Sequence, residues 1–360
     1  MSNKPQIVVV GADYHGEWAK DFYLAAKERG LESELVYTNT LLGGMGSSRM
    51  KAKVRQEVVK EFFRKYALPL FNLIKRARRS MSEYEVVRKI ELFQKPGEKL
   101  LIVFIWTPPS VSLLERLKRD KNTTLVLWQG EPPVRNPEWN KAFPYFDHIF
   151  CVDEEWSPLF EDAVRGKMSF LPLSSNEKKF FPLSKEAKDD RFNSDIVFVG
   201  YYLPERAQML AALKDRDLKI YGYWWENGLA EHPWIKDIYG GPVSNEDANK
   251  IFNGAKIAIG TLPGVASYSQ TIITQRVFDI SLAGNFQLSQ YSPTIPKLFG
   301  DSIVMFRDRD ELKRLVDFYL DHPAERKKLA AEAHAIALKS QSYKSRLRTI
   351  LGTVGLDDHD

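Results

Sequence analysis

Apolar runs of strand length alternate with helix-forming segments along most of the chain, and this alternation most restricts its fold. The runs in QIVVVGA, KLLIVFIW and TTLVLWQG are nearly free of polar residues, as strands buried on both sheet faces are. Parallel strands need crossover connections, and helical patterns at Trp18–Arg29 and Ser110–Arg119 follow the first two runs. The sequence therefore predicts an α/β protein built on doubly wound parallel sheets.

The length of 360 residues favours two domains, because single hydrophobic cores stop growing before that size. The polar segment 174–193 lacks apolar periodicity and is the predicted linker. We predict two Rossmann-like domains, residues 1–173 with a basic helical insertion at 40–95, and residues 194–340. Residues 341–360 are predicted to form a C-terminal helix and tail.

The composition, 44% apolar and 28% charged, is that of an ordinary globular protein. No apolar run reaches the roughly 20 residues of a membrane span, and the N-terminal segment lacks the pattern of a signal peptide. We therefore expect a cytoplasmic protein. The single cysteine, Cys151, excludes an intramolecular disulfide and a cysteine-based zinc cluster, and its run HIFCV predicts a buried thiol.

The net charge of +5 is unevenly distributed, with much of the basic excess in the segment 49–95. Such a segment can be a solvated helical face. It can also bind an anionic acceptor, a membrane surface or nucleic acid. The sequence leaves both interpretations open.

Two loops of the first half follow predicted strands, where ligands of open α/β sheets bind. In VGADYHGEW, Asp13 and His15 lie between Gly11 and Gly16 and can form a base with its orienting partner. The loop is not the G-x-G-x-x-G dinucleotide fingerprint. In LVLWQGEPP, a rigid loop carries Glu131, which can act as a base, bind a sugar hydroxyl or stabilise the loop.

Two loops of the second half repeat the strand–glycine pattern. In VGYYLPER, Gly200 precedes a helix whose early Arg206 would suit a diphosphate. In YGYWWENG, Gly222 precedes Trp224 and Trp225, which can stack on a base or a sugar or simply pack on the domain.

The segment ITQRVFDISLAGNFQLSQY follows the strand KIAIGT and a polar loop. It reads as a helix N-terminus, which favours phosphate through its free N–H groups and its dipole. Thr274 and Gln275 begin this helix, and Arg276 and Asp279 lie on one side of it at i and i+3. Upstream, YGGPVS places Gly240–Val243 before another helix, an edge that can hold a base through backbone groups.

Several of these segments resemble the GT-B glycosyltransferases of the group 1 family, and most closely the CgeB-like group. The run RVFDISLAGNFQLSQYSPTIPKLFGDSIVMFRDRDELKRLVDFYLDHPAER is similar to that group's pattern of Arg-Val-Phe-acidic, small residue-Gly, an apolar strand and a final Phe-Arg-Asp…Glu-Leu. SDIVFVGYYLPER resembles its opening strand and arginine-bearing helix. The resemblance implies two domains facing each other across a cleft, with the C-terminal helix crossing back to the first domain.

The resemblance also implies roles for individual residues. The residues carried over by position are Arg206, Gly240–Val243, Thr274, Gln275, Arg276 and Asp279. Together with Gly11, Gly200 and Gly222, which the strand–glycine pattern supplies, they are the expected donor-binding residues. In this assignment Arg206 and Arg276 bind the diphosphate, and Asp279, where the family usually has Glu, holds the ribose hydroxyls. Gly240–Val243 border the base, and the start of the helix contacts phosphate or the donor sugar.

The resemblance thus predicts a hexosyltransferase that moves a sugar from a nucleotide-sugar, a UDP-sugar rather than a GDP-sugar, to the hydroxyl of a glycan, protein or other polymer. The catalytic candidates are Asp13, His15 and Glu131. No Asp-x-Asp metal motif follows a predicted strand, so we expect neither a metal nor another cofactor. The alternatives are a non-catalytic nucleotide- or sugar-binding module, a transferase acting on modified DNA bases, and an epimerase of the same architecture.

Overall fold

The computed structural model describes residues 4–12, 17–38, 83–262 and 269–356. The chain divides into two units. The first comprises Met1–Phe150, Leu159–Ser169 and Ile350–Asp360, and the second comprises Cys151–Pro158 and Phe170–Thr349. Each unit contains a sheet of parallel strands with helices, which confirms the predicted α/β class.

The first unit is built on a six-stranded sheet in the order β2-β1-β3-β4-β5-β6. Its strands are β1 (Gln6–Gly11), β2 (Ser33–Tyr37), β3 (Leu100–Trp106), β4 (Thr123–Gln129), β5 (His148–Cys151) and β6 (Met168–Phe170). Its helices are α1 (Trp18–Glu28), α2 (Val111–Leu117) and α3 (Asp162–Arg165), and residues 83–93 are also helical. The central pairs β1–β2, β1–β3 and β3–β4 are parallel.

The second unit is built on a five-stranded sheet in the order β11-β10-β9-β7-β8, in which all neighbours are parallel. Its strands are β7 (Ser194–Val199), β8 (Leu218–Tyr221), β9 (Ala255–Gly260), β10 (Gln287–Gln290) and β11 (Val304–Phe306). Its helices are α4 (Pro204–Leu210), α5 (Ile235–Ile238), α6 (Asn245–Gly254), α7 (Gln275–Leu282), α8 (Thr294–Phe299), α9 (Arg309–Asp321), α10 (Pro323–Ser340) and most of α11 (Tyr343–Thr353).

Capping side chains begin two of these helices. The Ser244 hydroxyl accepts a hydrogen bond from the backbone N–H of Asp247 at 3.1 Å and begins α6. The Asp308 carboxylate accepts one from the N–H of Glu311 at 2.8 Å and begins α9. Each cap satisfies an N–H that has no partner inside its helix.

The predicted linker 174–193 packs on the second unit instead of standing apart from it. Phe180 is buried in that unit's core, and the Ser174 hydroxyl donates to the carbonyl of Gln341 at 2.8 Å. Nearby, the buried Arg346 donates to the carbonyls of Pro172 and Leu173 at 2.9 and 3.0 Å. Burial lowers the pKa of Arg346 to about 9.

The chain crosses between units on either side of this cluster. It passes from the first unit to the second between residues 169 and 170, and residues from Ile350 onward belong to the first unit again. Within the described ranges, no helix is both long and apolar enough to cross a bilayer. Cys151 is buried, as predicted, and burial raises the pKa of its thiol, which keeps it in the unreactive protonated form.

Candidate functional site

The strand order of the second sheet predicts a crevice between the carboxyl ends of β7 and β9. These strands are neighbours, but the chain continues from β7 to β8 on one side and from β9 to β10 on the other. The loops that leave them therefore diverge, and open α/β sheets bind their ligands at such a switch point. The described residues at its rim are 200–203 after β7 and 261–262 after β9.

Arg206 on α4 spans this crevice and is only 6% exposed. Its Nη1 donates to the carbonyl of Tyr201 at 3.0 Å, and its Nη2 donates to the carbonyl of Leu262 at 3.1 Å. One guanidinium thus joins the loops after both strands. The centroid of the Tyr201 ring lies 4.3 Å from the guanidinium carbon, and the buried Nε has no hydrogen-bond partner among the described residues.

Arg206 donates to backbone carbonyls and forms no ion pair with a carboxylate in the part of the chain that the structure describes, although the charge of Glu205 partly opposes the effect of burial on its pKa. Burial lowers the pKa of its guanidinium, and the positive charge of Arg276 contributes to that lowering. A buried cation that lacks a counter-charge is costly, and an anion placed against it removes much of that cost. The electrostatics of the crevice therefore favour a negatively charged ligand.

Arg276 and Asp279 form an ion pair at the start of α7. Arg276 Nη1 lies 2.8 Å from Asp279 Oδ2, and the carboxylate is 1% exposed while the arginine side chain is 31% exposed. Gln275 Nε2 lies 3.5 Å from the other carboxylate oxygen. Thr274 occupies the N-cap position without a side-chain capping bond. Asp279 thus holds Arg276 in this structure, and its contact with a ribose stays a prediction.

Three of the predicted glycines let the loops of the second unit pack closely. A Cβ on Gly222, which has φ of 130°, would overlap the carbonyl of Gly200. A Cβ on Gly240 would overlap the ring of Tyr221, and one on Gly200 would lie 2.9 Å from the ring of Phe198. Val243 packs against the core of the unit. Donor contacts of these residues stay predictions.

The two adjacent tryptophans after β8 have different environments. Trp225 is fully buried, and its Nε1 donates to the carbonyl of Gly200 at 2.8 Å. Trp224 is half exposed. Of the two interpretations left open by the sequence, packing on the domain applies to Trp225, whose ring contacts Phe198 and Tyr202.

The first sheet has the same kind of switch point, between β1 and β3, but different side chains. Gly11 ends β1, and a Cβ there would lie 2.6 Å from the Cβ of Ala19, so the glycine brings α1 close to the sheet. Trp106 ends β3 with φ of 91° and stacks on Trp18 at 4.1 Å between ring centroids. A small hollow beside them is lined by Ala12 and apolar side chains.

The predicted catalytic residues divide into two groups. Asp13 and His15, like most of the basic segment 49–95, lie outside the described residues. Glu131 follows β4, with its Oε2 at 3.3 Å from the Nε of Arg135, and its backbone carbonyl accepts a 2.6 Å bond from Gln129. The described residues contain no group of side chains arranged to hold a metal ion.

Asp153 was not among the predicted residues, yet it anchors the start of the segment that leads into α7. It is fully buried and accepts hydrogen bonds from Ser269 Oγ at 2.6 Å, Thr271 Oγ1 at 2.7 Å and the Glu155 N–H at 2.9 Å. Burial raises its pKa, while the hydroxyl bonds oppose that shift. Its two hydroxyl partners, Ser269 and Thr271, are more than 110 residues away, so no local pattern could have revealed their contact with it.

Comparison with known proteins places the chain among glycosyltransferase folds. Over 98% of its length it superposes on 98% of a sucrose-phosphate synthase from Thermosynechococcus elongatus, with a TM-score of 0.65 and 12% identity. Over 97% it superposes on 99% of HepE from Anabaena in complex with UDP-glucose, with a TM-score of 0.61 and 11% identity. At such identities the likeness shows the fold alone, which is GT-B.

The sequence comparisons are more specific. Residues 206–352 match the family model described as glycosyl transferase-like. The chain is 26% identical over 263 residues to the spore protein CgeB of Bacillus subtilis (strain 168), a region that covers 69% of this chain and 80% of that protein. These findings confirm the resemblance to GT-B glycosyltransferases and to CgeB.

Proposed function

We propose that this protein is a glycosyltransferase that moves a hexose from a UDP-sugar to an acceptor hydroxyl without a metal ion. The observation that carries the proposal is Arg206, a buried guanidinium at the switch point of the second sheet without a carboxylate partner among the described residues. A nucleoside diphosphate supplies the missing negative charge. The glycosyl transferase-like match over residues 206–352 supports the same class of reaction.

The chemistry requires a site that stabilises a leaving diphosphate. As the bond between sugar and diphosphate breaks, negative charge grows on the phosphate farther from the nucleoside. Arg206 and Arg276 supply two cations, and the N-terminus of α7 supplies backbone N–H groups and the positive end of its dipole. Arg206 and the helix N-terminus need little reorganisation as the charge develops, whereas Arg276 must first turn from Asp279 towards the phosphate when the donor binds.

The acceptor hydroxyl must lose a proton as it attacks the sugar. We assign this role to Asp13, His15 or Glu131, or to the departing phosphate itself. UDP is the proposed nucleotide, which agrees with the UDP-glucose bound to HepE. Asp279 is proposed to hold the ribose once Arg276 turns towards phosphate, and Gly240–Val243 are proposed to border the base.

The test is the variant Arg206→Met, studied by calorimetric titration with UDP and by turnover of a panel of nucleotide-sugars. We expect at least a tenfold loss of UDP affinity, because hydrogen bonds to charged groups contribute about 1.5–3 kcal/mol. Replacing an unneutralised buried charge with an apolar side chain should leave the fold intact. The unfolding temperature without ligand checks this point.

The matched control is Arg216→Met in the same unit, where the exposed Arg216 pairs with Asp317 at 2.7 Å. It should bind UDP as the unaltered protein does. Equal UDP affinity in Arg206→Met and the unaltered protein would contradict the site assignment. Tight UDP binding without turnover of any nucleotide-sugar would instead favour a non-catalytic binding module.

A further inference from the structure

Three exposed aromatic rings form a cluster beside Arg206. Tyr201 follows β7, and Tyr223 and Trp224 follow β8, with 38%, 50% and 51% of their surfaces exposed. The ring centroids of Tyr201 and Trp224 are 5.8 Å apart, and those of Tyr223 and Trp224 are 6.4 Å apart. We call these three residues the aromatic platform. Contiguous exposed rings on a soluble protein surface commonly mark a binding site.

The backbone of the platform is held in an unfavourable conformation. Trp224 has φ of 69° and ψ of 13°, the left-handed region, which costs a bulky residue on the order of 1–2 kcal/mol. Its neighbour Trp225 is buried and bonded to the carbonyl of Gly200, so the chain must turn Trp224 outward. Such strain persists only where the surroundings impose it, and it occurs often at ligand sites.

Further hydrogen bonds fix the same loop. The Tyr202 N–H donates to the carbonyl of Tyr223 at 2.9 Å. The hydroxyl of Tyr239 donates to the carbonyl of Gly222 at 2.8 Å and lies 3.0 Å from a carboxylate oxygen of Glu226. Burial, with Glu226 contributing, raises the pKa of Tyr239 to about 12, so the hydroxyl stays protonated and remains a donor. The platform is therefore rigid before a ligand arrives.

The position of the platform indicates what kind of ring it receives. On one side, Tyr201 contacts the guanidinium of Arg206. On the other side, the N–H of Gly222 donates to the carbonyl of Gly241 at 2.9 Å, which joins the loop to the segment Gly240–Val243. A phosphate-binding cation, an aromatic face and a backbone edge are thus contiguous. A nucleoside diphosphate carries phosphates and a planar base on the two sides of one pentose.

We propose that Trp224 is the stacking face for the base of the donor nucleotide, with Tyr201 and Tyr223 supporting its ring. This inference rests on the proposed function, because it takes Arg206 as the phosphate contact. Stacking of a base on an aromatic side chain tolerates different bases. Trp224 would therefore add affinity for the nucleoside part, and the backbone edge would select among bases.

The experiment compares UDP with inorganic pyrophosphate by calorimetric titration of the full-length protein. Trp224→Ala should weaken UDP binding about tenfold, the effect of losing one stacked base, and should change pyrophosphate binding less than twofold. Trp224→Phe keeps an aromatic ring, so its UDP affinity should lie between those of the unaltered protein and Trp224→Ala. The control is Phe318→Ala, which removes an exposed ring of α9 that is distant in sequence from the platform. It should change neither the affinity for UDP nor the affinity for pyrophosphate.

A second variant separates binding from folding. Trp224→Gly removes the same ring and also relieves the left-handed backbone, so it should be at least as stable as Trp224→Ala. Both variants should lose UDP affinity equally. In the unaltered protein, UDP but not pyrophosphate should quench tryptophan fluorescence, and Trp224→Phe should lose that signal.

The outcomes distinguish the two proposals. Unchanged UDP affinity in Trp224→Ala, with loss in Arg206→Met, would overturn the stacking assignment and leave the proposed function standing. A Trp224→Ala effect confined to the KM of a carbohydrate acceptor would also overturn it, because the platform would then hold the acceptor. Absence of UDP binding by the unaltered protein would overturn both proposals.

Discussion

The two sheets share a topology but offer different chemistry at corresponding places. In each, the first strand of the unit lies between the second and the third, which opens a crevice at their carboxyl ends. In the second unit that crevice contains the buried cation of Arg206. In the first unit its described residues are apolar and include the stacked pair Trp18 and Trp106.

In both units the fold provides the crevice, and the side chains determine which ligand it favours. Strand order creates a crevice in both units without reference to any ligand. The charge of the side chain that spans it then selects the ligand: an unneutralised guanidinium favours an anion, whereas an aromatic pair does not. Substitutions can test this contrast, because Arg206 supplies the charge in one crevice and Trp18 and Trp106 supply the aromatic pair in the other.

The largest effect on stability should come from breaking the charged pair of the second unit. Arg276→Met should lower the free energy of unfolding by roughly 2–3 kcal/mol, because it leaves the buried carboxylate of Asp279 without its cation. The partial exposure of Arg276 keeps this loss below that of a fully buried pair. The double variant Arg276→Met/Asp279→Asn should recover much of that loss. Urea unfolding of both variants measures the difference.

This pair also affects how activity data on Arg276 should be interpreted. A loss of turnover in Arg276→Met combines a missing phosphate contact with a destabilised helix start. The double variant removes the second cause. Equal stability of the single and double variants would show that Asp279 does not depend on Arg276, and would contradict the role assigned to the pair.

An intermediate effect should come from the apolar crevice of the first unit. A Cβ on Gly130 would overlap the ring of Trp106, so Gly130→Ala should cost roughly 1–3 kcal/mol through overpacking. Gly166→Ala is the matched control in the same unit, since φ there is −65° and nothing lies within 4 Å of an added Cβ. Urea unfolding should show a loss only for Gly130→Ala.

The same variant tests whether the two crevices act separately. UDP affinity of Gly130→Ala should equal that of the unaltered protein at temperatures where the variant is folded. A loss of UDP affinity of tenfold or more would show that the apolar crevice contributes to nucleotide binding, and the contrast between the units would fail.

The smallest effect concerns pH and His148 of the first unit. Burial lowers the pKa of this histidine, whose Nε2 lies 3.0 Å from Ser169 Oγ. Below the unfolded-state pKa of about 6.5, the unfolded chain binds more protons than the folded one, so stability falls as the pH drops towards the folded-state pKa. His148→Gln should flatten this dependence. If the slope of unfolding free energy against pH is the same in His148→Gln as in the unaltered protein, His148 is not the cause of this dependence.

Much of the fold could be predicted from local pattern. The buried strands read as apolar runs, and Ser244 and Asp308 mark helix starts by their own chemistry. The sequence also predicted the position of Arg206 after a strand and at the start of a helix, whereas its contact with a diphosphate stays a prediction. Local signals sufficed here because strand burial, capping and strand-end position depend on neighbours in sequence.

Other features could not be predicted. The polar segment 174–193 suggests a linker, but no local pattern shows that Phe180 packs in the core of the second unit. Asp153 has no local signal, because its partners Ser269 and Thr271 come from a distant segment. Trp224 and Trp225 are adjacent residues of the same type, so the sequence does not show which of them is buried. Tertiary packing exposes Trp224 and buries Trp225.

The sequence alone determined the α/β class, the alternation of strands and helices, and the candidates for phosphate binding, because hydrophobic period and helix-end chemistry are encoded over short distances. Only the tertiary structure decided that Arg206 bridges two strand-end loops, that the buried Asp279 pairs with the partly exposed Arg276, and that a strained Trp224 faces outward next to Tyr201. The reason is physical: burial, counter-charge and exposure depend on groups brought together from distant parts of the chain.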